Sequence, residues 1–497
     1  MTDSHTGRPQ GEAEAARDAG PISAQVLRGI SRNSLFLIGG EFVSRGIGFV
    51  YILIVARLLG VEDFGNFSLI VSFVMIATAG VEFGLNRLIV RDLARNPELL
   101  RPYLAALLPL RAALALAGYA ALIALVWLAG YSARLVALTA VAGLCLLPAS
   151  IGLIYAAVFH ARQQMRYSAA SDIVMAVVQA AAGSAALAMG AGLPGVLLAA
   201  VGANVAYLVF IARQAWGCGY WSAPQLSRRV ALDLLRRSAP FAVVSFLAIL
   251  SSRSELLILG WFAPAQDLGL FSAAVKFPEI ALLLPAVLAS AAAPVMARCY
   301  TGSRRDLHAV YLWSVRRDLT VTLPVALAGI ALADGIMSWL FTPDYLSAAP
   351  LLQVLFCAFP LTSLQIINNA VFTMSNRLRI AVVAAAVSTI IQFAVGLALV
   401  PRFGAAGAAA SVLASQALNL ALSQWWVGRW FVDTTGLVRH LAAPLIAGSI
   451  GGGAALVLVT PWGAWSALPV LAAYGLALAL ATTLWPPTPT SKLTENT

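Results

Sequence analysis

Residues 61–73 read VEDFGNFSLIVSF, and residues 265–277 read AQDLGLFSAAVKF. Six of these thirteen positions agree at an offset of 204: Asp63 with Asp267, Gly65 with Gly269, Phe67 with Phe271, Ser68 with Ser272, Val71 with Val275 and Phe73 with Phe277. A second echo follows in the same order. Gly192-Leu-Pro-Gly195 answers Gly404-Ala-Ala-Gly407 at an offset of 212, with Asn204 facing Gln416. Two echoes at nearly equal offsets mark the duplication of a structural unit.

The composition places that unit in lipid. Of the 497 residues, 60% are hydrophobic and 11% charged, and the mean hydropathy is +0.85. Soluble chains run at about 45–50% apolar and about 25% charged, so no water-soluble fold has interior enough for this one. Fourteen apolar stretches reach the ~20 residues that cross a ~30 Å hydrocarbon core. They are 34–58, 65–90, 103–129, 135–159, 168–189, 193–213, 239–262, 269–297, 319–341, 347–374, 380–400, 405–428, 441–459 and 465–485. Each is expected to be a helix, because an isolated segment in lipid must satisfy its own backbone hydrogen bonds.

Arginine sets the orientation. With the N-terminus inside, 24 of the 32 Lys and Arg residues fall on the inner side, and three (Arg57, Arg134, Arg402) on the outer side. Five lie within spans: Arg45, Arg87, Arg111, Arg253 and Lys276. This asymmetry alternates with every loop, as cytoplasmic basic residues require. It places both termini on the cytoplasmic side. Six spans per unit is an even number, so the repeats are parallel and related by an axis along the membrane normal. The expected fold is an all-α polytopic membrane protein of about 14 transmembrane helices, with two six-helix repeats around a central cavity and two further helices at the C-terminus. The expected divisions are a disordered cytoplasmic tail (1–30), an N-terminal bundle (31–213), a cytoplasmic linker (214–238), a C-terminal bundle (239–430), two additional helices (431–485) and a second tail (486–497).

Several functions are disfavoured. The two lysines, Lys276 and Lys492, stand outside any G-K-[ST] context, so there is no P-loop. Residues 1–30 lack the basic start and apolar core of a signal peptide. The four cysteines are too scattered for zinc or redox pairing, and the four histidines lie in tails, inner loops or span ends. Outer loops of a few residues leave no room for the active site of a membrane glycosyltransferase. No enzyme activity, catalytic residue, cofactor, metal or nucleic-acid partner is expected.

Ionisable groups inside spans are costly and mark functional sites by default. Here they concentrate in spans 1, 2, 7 and 8, and the last two are the repeat equivalents of the first two. Glu41, Ser44, Arg45 and Gly48 share one helical stripe of span 1. At 1.5 Å per residue Arg45 lies about 18 Å into the bilayer, beyond easy snorkelling. Span 2 carries Glu82 and Asn86, span 7 carries Arg253 and Glu255, and span 8 carries Lys276 and Glu279 with Pro278 placed to kink the helix. Arg45, Arg253, Lys276, Glu41, Glu82, Asn86, Glu255 and Glu279 are the candidate substrate-binding residues of one central cavity. The competing reading for Glu41–Arg45 and Lys276–Glu279 is internal ion pairing at helical spacing. For Arg87 and Arg111 it is snorkelling to the inner surface. Asp172 and Gln179, Gln365 and Asn369, and Gln416 and Asn419 read as interhelical hydrogen-bond glue.

At Leu58-Leu-Gly-Val-Glu-Asp-Phe-Gly65 and Gly269-Leu-Phe-Ser-Ala-Ala274 the chain resembles the Wzx-type polysaccharide flippases of the multidrug/oligosaccharidyl-lipid/polysaccharide superfamily. Phe341-Thr-Pro-Asp-Tyr345 and Pro401-Arg-Phe-Gly-Ala-Ala-Gly407 extend the resemblance, which runs from about residue 31 to about residue 430. It implies a polyprenyl-pyrophosphate-linked oligosaccharide as cargo, carried between leaflets for O-antigen (lipopolysaccharide) or exopolysaccharide synthesis. Membrane lipids, a polysaccharide polymerase and glycosyltransferases are the other implied partners. Arg45, Arg253 and Lys276 become ligands of the pyrophosphate. Glu255 stands where many relatives carry Asp, which leaves it a partner of Arg253 or a participant in ion coupling. Two same-superfamily alternatives stay open: a lipid II flippase and a cation-coupled multidrug antiporter. The antiporter should have a net acidic cavity, and three bases against four acids do not decide between them.

Overall fold

A computed structural model of the chain describes residues 24–225, 228–375 and 378–431, and these are helical almost throughout. The two spans expected at 441–459 and 465–485 lie outside the described residues, as does the second tail. The first helix, α1 (Ala24–Glu82), begins within the expected N-terminal tail and carries the first crossing and most of the second. It folds back at Gly60 (φ 77°, ψ 173°), a backbone region that only glycine enters cheaply. At the other end of the described chain, α14 (Leu378–Trp430) turns likewise at Gly404 (φ 55°, ψ −131°).

Between them run α2 (Leu85–Arg95), α3 (Leu100–Leu128), α4 (Ala133–Gly143), α5 (Leu146–Ala161), α6 (Met165–Ala188) and α7 (Gly192–Gly217). The second series is α8 (Arg228–Phe262), α9 (Ala265–Ala281), α10 (Leu283–Gly302), α11 (Arg304–Ala331), α12 (Ala333–Leu340) and α13 (Ala349–Met374). Among the described residues, nine helices are long and apolar enough to cross a membrane, and the α11–α12 pair, bent by 66°, makes a tenth. Two of the nine, Gly39–Glu82 and Val382–Trp430, are 44 and 49 residues long and each hold two crossings. All twelve spans expected among the described residues are therefore present.

Several boundaries differ from expectation, for local reasons. Span 2 breaks at Phe83 (φ 46°) and Gly84 (φ 68°), which sets α2 apart. A Cβ on Gly84 would stand 2.5 Å from the Ala242 nitrogen of α8, so the break coincides with close backbone packing. Span 8 breaks at Leu282, four residues after Pro278, where the Leu282 N–H closes on the Pro278 carbonyl at 3.1 Å. Span 9 starts some fifteen residues early, at Arg304, and takes Asp318 inside the helix. The expected linker 214–238 is helical at both ends, leaving only a short connection between α7 and α8.

The largest core is shared by the two repeats and sits toward the arginine-poor end. Val55, Phe64 and Ile70 of α1 pack there with Leu259 of α8, Phe271 of α9 and Leu352 of α13. At the arginine-rich end the cores separate. Leu85, Leu104, Phe159 and Ile211 form one, and Met296, Tyr311, Phe372 and Val427 form another. The halves thus share one large apolar core at one end, while at the other they meet through α8, whose Ala231 and Leu234 join the first of these cores and whose Ala242 packs on Gly84.

The repeat motif makes that junction. Gly65 of α1 and Gly269 of α9, partners in the internal repeat, meet at the crossing of their helices. A Cβ on Gly269 would lie 2.0 Å from the Val61 carbonyl, and one on Gly65 would lie 2.1 Å from the Ala265 carbonyl. Polar contacts brace the same end. Arg57 donates from Nε to the Leu340 carbonyl (2.8 Å) and from Nη2 to that of Trp339, and the Tyr345 hydroxyl donates to the Ala56 carbonyl (3.1 Å). At the arginine-rich end one cluster crosses between halves. Asp92 of α2 accepts from the Tyr103 hydroxyl (2.6 Å), from Arg91 Nε (2.9 Å) and from Arg237 of α8. Burial opposes the charge on Asp92, but the Tyr103 hydroxyl and the two guanidiniums outweigh it and hold the carboxyl below the usual aspartate range. A carboxylate lowered in this way stabilises the fold above its ordinary pKa and loses that contribution as pH falls through the depressed one.

The glycine crossing is directly testable. Gly269→Ala should lower the thermal unfolding midpoint of the detergent-solubilised protein, since overpacking costs about 1–3 kcal/mol. Gly48→Ala, in a helix where nothing lies within 4 Å of the added Cβ, should leave it unchanged or raised.

Candidate functional site

Mid-depth charges from both repeats converge below the shared core. On α9, Lys276 and Glu279 lie one turn apart and pair at 2.8 Å. The other oxygen of Glu279 faces Arg253 Nη1 of α8 at 3.5 Å. Arg45 of α1 pairs with Glu41 one turn before it, and its charge also acts on Glu279 across the gap between the repeats. Both expected intrahelical pairs form, and a single carboxylate, Glu279, ties together cations of α8 and α9 under the field of a third. Lys276 and Arg253 are mostly covered, at 21% and 15% side-chain exposure, whereas Arg45 is 52% exposed. Arg253 keeps its Nε buried with no partner among the described residues.

A cavity of about 310 Å³ adjoins this cluster. Arg253, Glu255, Glu279, Thr362, Gln392 and Gln416 provide its polar lining. A smaller space of about 50 Å³ lies where Ile52, Phe67 and Ser68 of α1 face Arg253, Ser272 and Lys276. It therefore has walls from both repeats.

Glu255 lines the same cavity as Arg253 and feels its charge, but forms no direct ion pair with it. Its carboxylate accepts from the Gln392 side chain of α14 and from the Ser254 hydroxyl at 3.4 Å, and Ser415 donates to the Gln392 Oε1 at 3.1 Å. Its hydrogen bonds thus lie among amide and hydroxyl groups of the second repeat. The remaining two candidates lie elsewhere. Asn86 of α2 accepts from Arg111 Nη2 of α3 at 2.5 Å, and Glu82 acts electrostatically on the same guanidinium. Arg111 is fully buried, which overturns its reading as a snorkelling residue. It is a structural cation of the first repeat, and Glu82 and Asn86 are its counterparts. The ion-paired part of the mid-depth cluster comprises three bases, Arg45, Arg253 and Lys276, and two acids, Glu41 and Glu279, with a third carboxylate, Glu255, on the wall of the adjoining cavity.

Other polar groups join helices within the second repeat, some expected from the sequence and some not. Gln365 donates to the Gln416 carbonyl and Oε1, both at 2.9 Å, as interhelical glue should. Tyr311, Asn368, Ser423 and Gln424 form a second such cluster, and Asp318 accepts from Ser363 inside the second repeat. Asp318 was hidden by the late start assigned to span 9. Gln392 and Ser415 are single polar letters in apolar runs, and only the packing of α8 on α14 gives them meaning.

An all-helical membrane protein with a charged cleft between two repeats has the form of a transporter. Its fold is similar to a structure described as the lipid II flippase MurJ in an inward closed conformation, with TM-score 0.73 and 12% identity, covering 90% of this chain and 98% of that one. It is also similar to an inward-facing multidrug resistance MATE transporter of the MOP superfamily, with TM-score 0.63 and 15% identity, covering 78% and 93%. A MOP superfamily transporter from Pyrococcus furiosus, described as having a binding pocket of reverse polarity, matches with TM-score 0.57 and 15% identity over 80% and 94%. No curated protein matches the sequence. Residues 30–300, more than half of the chain, match the polysaccharide biosynthesis protein family, and the chain belongs to it.

The two kinds of buried cation should part on mutation. Arg111→Ala empties a fully buried site and leaves Asn86 without its donor, and should lower the unfolding midpoint and reduce membrane yield. Arg45→Ala, removing a half-exposed group, should leave both near wild type.

Proposed function

We propose that this protein is a lipid-linked oligosaccharide flippase. It moves polyprenyl-pyrophosphate-linked glycan repeat units from the inner to the outer leaflet of a bacterial inner membrane by alternating access, for cell-surface polysaccharide biosynthesis. The observation that carries this reading is the net basic mid-depth cluster, three cations to two carboxylates, between the repeats. Guanidinium forks bind phosphate oxygens in pairs, and a pyrophosphate offers several. In the empty cleft Glu279 neutralises Arg253 and Lys276. An arriving pyrophosphate competes for the same donors and takes up the free Nε of Arg253. No bond in the cargo is made or broken. The lipid tail remains in hydrocarbon while the headgroup passes the cations.

The polarity also weighs against a cation-drug antiporter. Glu82 sits nearer Arg111, and Glu255 makes its hydrogen bonds within the second repeat, so neither forms an ion pair with the three bases. Glu255 with Gln392, Ser254 and Ser415 is the better candidate for a coupling-ion site. A lipid II flippase remains the second reading, favoured by the fold likeness at TM-score 0.73. Complementation of a strain depleted of its own lipid II flippase separates the two, because growth would assign this chain to peptidoglycan precursor.

The test of the main reading is glycan export in cells whose only copy carries Arg253→Ala or Arg45→Ala. Each should reduce surface polysaccharide at least about tenfold, the factor set by one charge-assisted contact of about 1.4 kcal/mol. Protein level in the membrane should stay that of the wild type. Undiminished export in both variants would remove the cationic site.

A further inference from the structure

A second basic pocket lies outside the cleft. It occupies about 410 Å³ between α2 and α5 and is lined by Asn86, Arg87, Val90, Arg91, Leu153, Ala156, Ala157 and His160. One wall is polar and cationic and the other is aliphatic until its last turn, where His160 stands. Helix α2 is amphipathic. Leu85, Leu88, Ile89 and Leu93 are buried against the first repeat, while Arg87, Arg91 and Arg95 recur every fourth residue on its exposed side. Both helices reach the pocket at the arginine-rich end of the molecule.

Three features show unused capacity for an anion. Arg87 is exposed and has no hydrogen-bond or ion-pair partner among the described residues. The Nε2 of His160 is buried and also lacks a partner among the described residues. Arg111, one hydrogen bond behind Asn86, keeps Nε and Nη1 unpartnered and fixes a positive charge beneath the pocket floor. Arg91, by contrast, is held by Asp92 and lies 5.6 Å from the Phe241 ring centroid, so it frames the pocket from the side of α8.

We propose that the α2–α5 pocket binds the phosphoryl headgroup of a lipid, with Arg87 as the principal ligand and His160 as a second donor. The aliphatic wall of α5 (Leu153, Ala156, Ala157) takes the first methylenes of the tail. Two lipids carry the required chemistry: an acidic glycerophospholipid of the bilayer and a polyprenyl pyrophosphate. Basic pockets at the cytoplasmic face of membrane proteins attract such headgroups through both the surface potential and direct hydrogen bonds. The site differs from the cleft in helices, in residues and in having no carboxylate in its lining.

The test is native mass spectrometry of the full chain in detergent, titrated separately with dioleoyl-phosphatidylglycerol, geranylgeranyl pyrophosphate and zwitterionic dioleoyl-phosphatidylcholine. At least one anionic probe should bind more tightly than phosphatidylcholine. Arg87→Gln should weaken that binding about tenfold, one strong hydrogen-bonded contact. Arg87→Lys, which keeps the charge, should retain most of it, and Arg95→Gln, on the same helix but outside the pocket, should leave it unchanged. If phosphatidylglycerol is the sensitive probe, the pocket holds a bilayer lipid. If only the pyrophosphate is, the pocket stages cargo ahead of the cleft. Equal affinity for phosphatidylcholine, or an Arg95→Gln loss equal to that of Arg87→Gln, overturns the proposal. Export in Arg45 and Arg253 variants bears on the cleft and binding in Arg87 variants bears on this pocket, so either reading can fail alone.

Discussion

A charge placed in hydrocarbon must be neutralised by a neighbour or face a space that water or a ligand can fill. Among the described residues, the intramembrane cations answer that constraint in two ways. Arg111 is closed over, bound to Asn86 and set near Glu82, with no exposed surface. Arg45, Arg253 and Lys276 instead gather around too few carboxylates and border open space. The first arrangement supports a fold. The second leaves attraction over for something that arrives from outside.

The helical frame explains how the second arrangement is kept open. Both repeats contribute to one large apolar core at the arginine-poor end, where Gly65 and Gly269 let two helices touch backbone to backbone. Below that crossing the cores diverge, and the charged residues occupy the divergence. The Asp92–Arg237 contact spans the halves again near the arginine-rich end. Apolar contacts of α8 accompany it, with Leu234 in the first repeat's core and Ala242 packed on Gly84.

Much of this was legible in the sequence because the two strongest signals are collective. Twelve spans emerge from hydropathy, and arginine counts alternate regardless of any one residue. The duplicated Asp-x-Gly-x-Phe-Ser segment marked the crossing helices before their contact was visible. Single side chains were harder. Glu41–Arg45 and Lys276–Glu279 followed from helical spacing alone, since their partners lie within one turn. Glu255 did not, because its partner Gln392 is 137 positions away and only the fold brings α8 to α14. Arg111 was misjudged for a related reason. Depth along a helix says how far a guanidinium must reach for water, but not whether a neighbouring helix covers the route. Asp318 was lost to a boundary, since a run beginning Arg304-Arg-Asp reads as loop until Tyr311, Val315 and Leu319 are seen to share a buried face.

The surplus positive charge also bears on what drives transport. A cation fixed in the protein stays where it is, whereas an anionic headgroup crosses the field, and each elementary charge contributes about 2.3 kcal/mol per 100 mV. For the proposed cargo, a doubly anionic pyrophosphate leaving an inside-negative cell would move downhill by about 4–5 kcal/mol per 100 mV. Without the three bases, the same headgroup would meet a desolvation penalty of several kcal/mol at mid-depth, comparable to that gain. The cluster thus lowers the midpoint without altering the end states, which is what a carrier must do. Its two carboxylates keep the attraction moderate, because Glu279 can reclaim Arg253 and Lys276 as the headgroup departs. Binding that is favourable enough to admit the anion and weak enough to release it follows from three bases opposed by two acids.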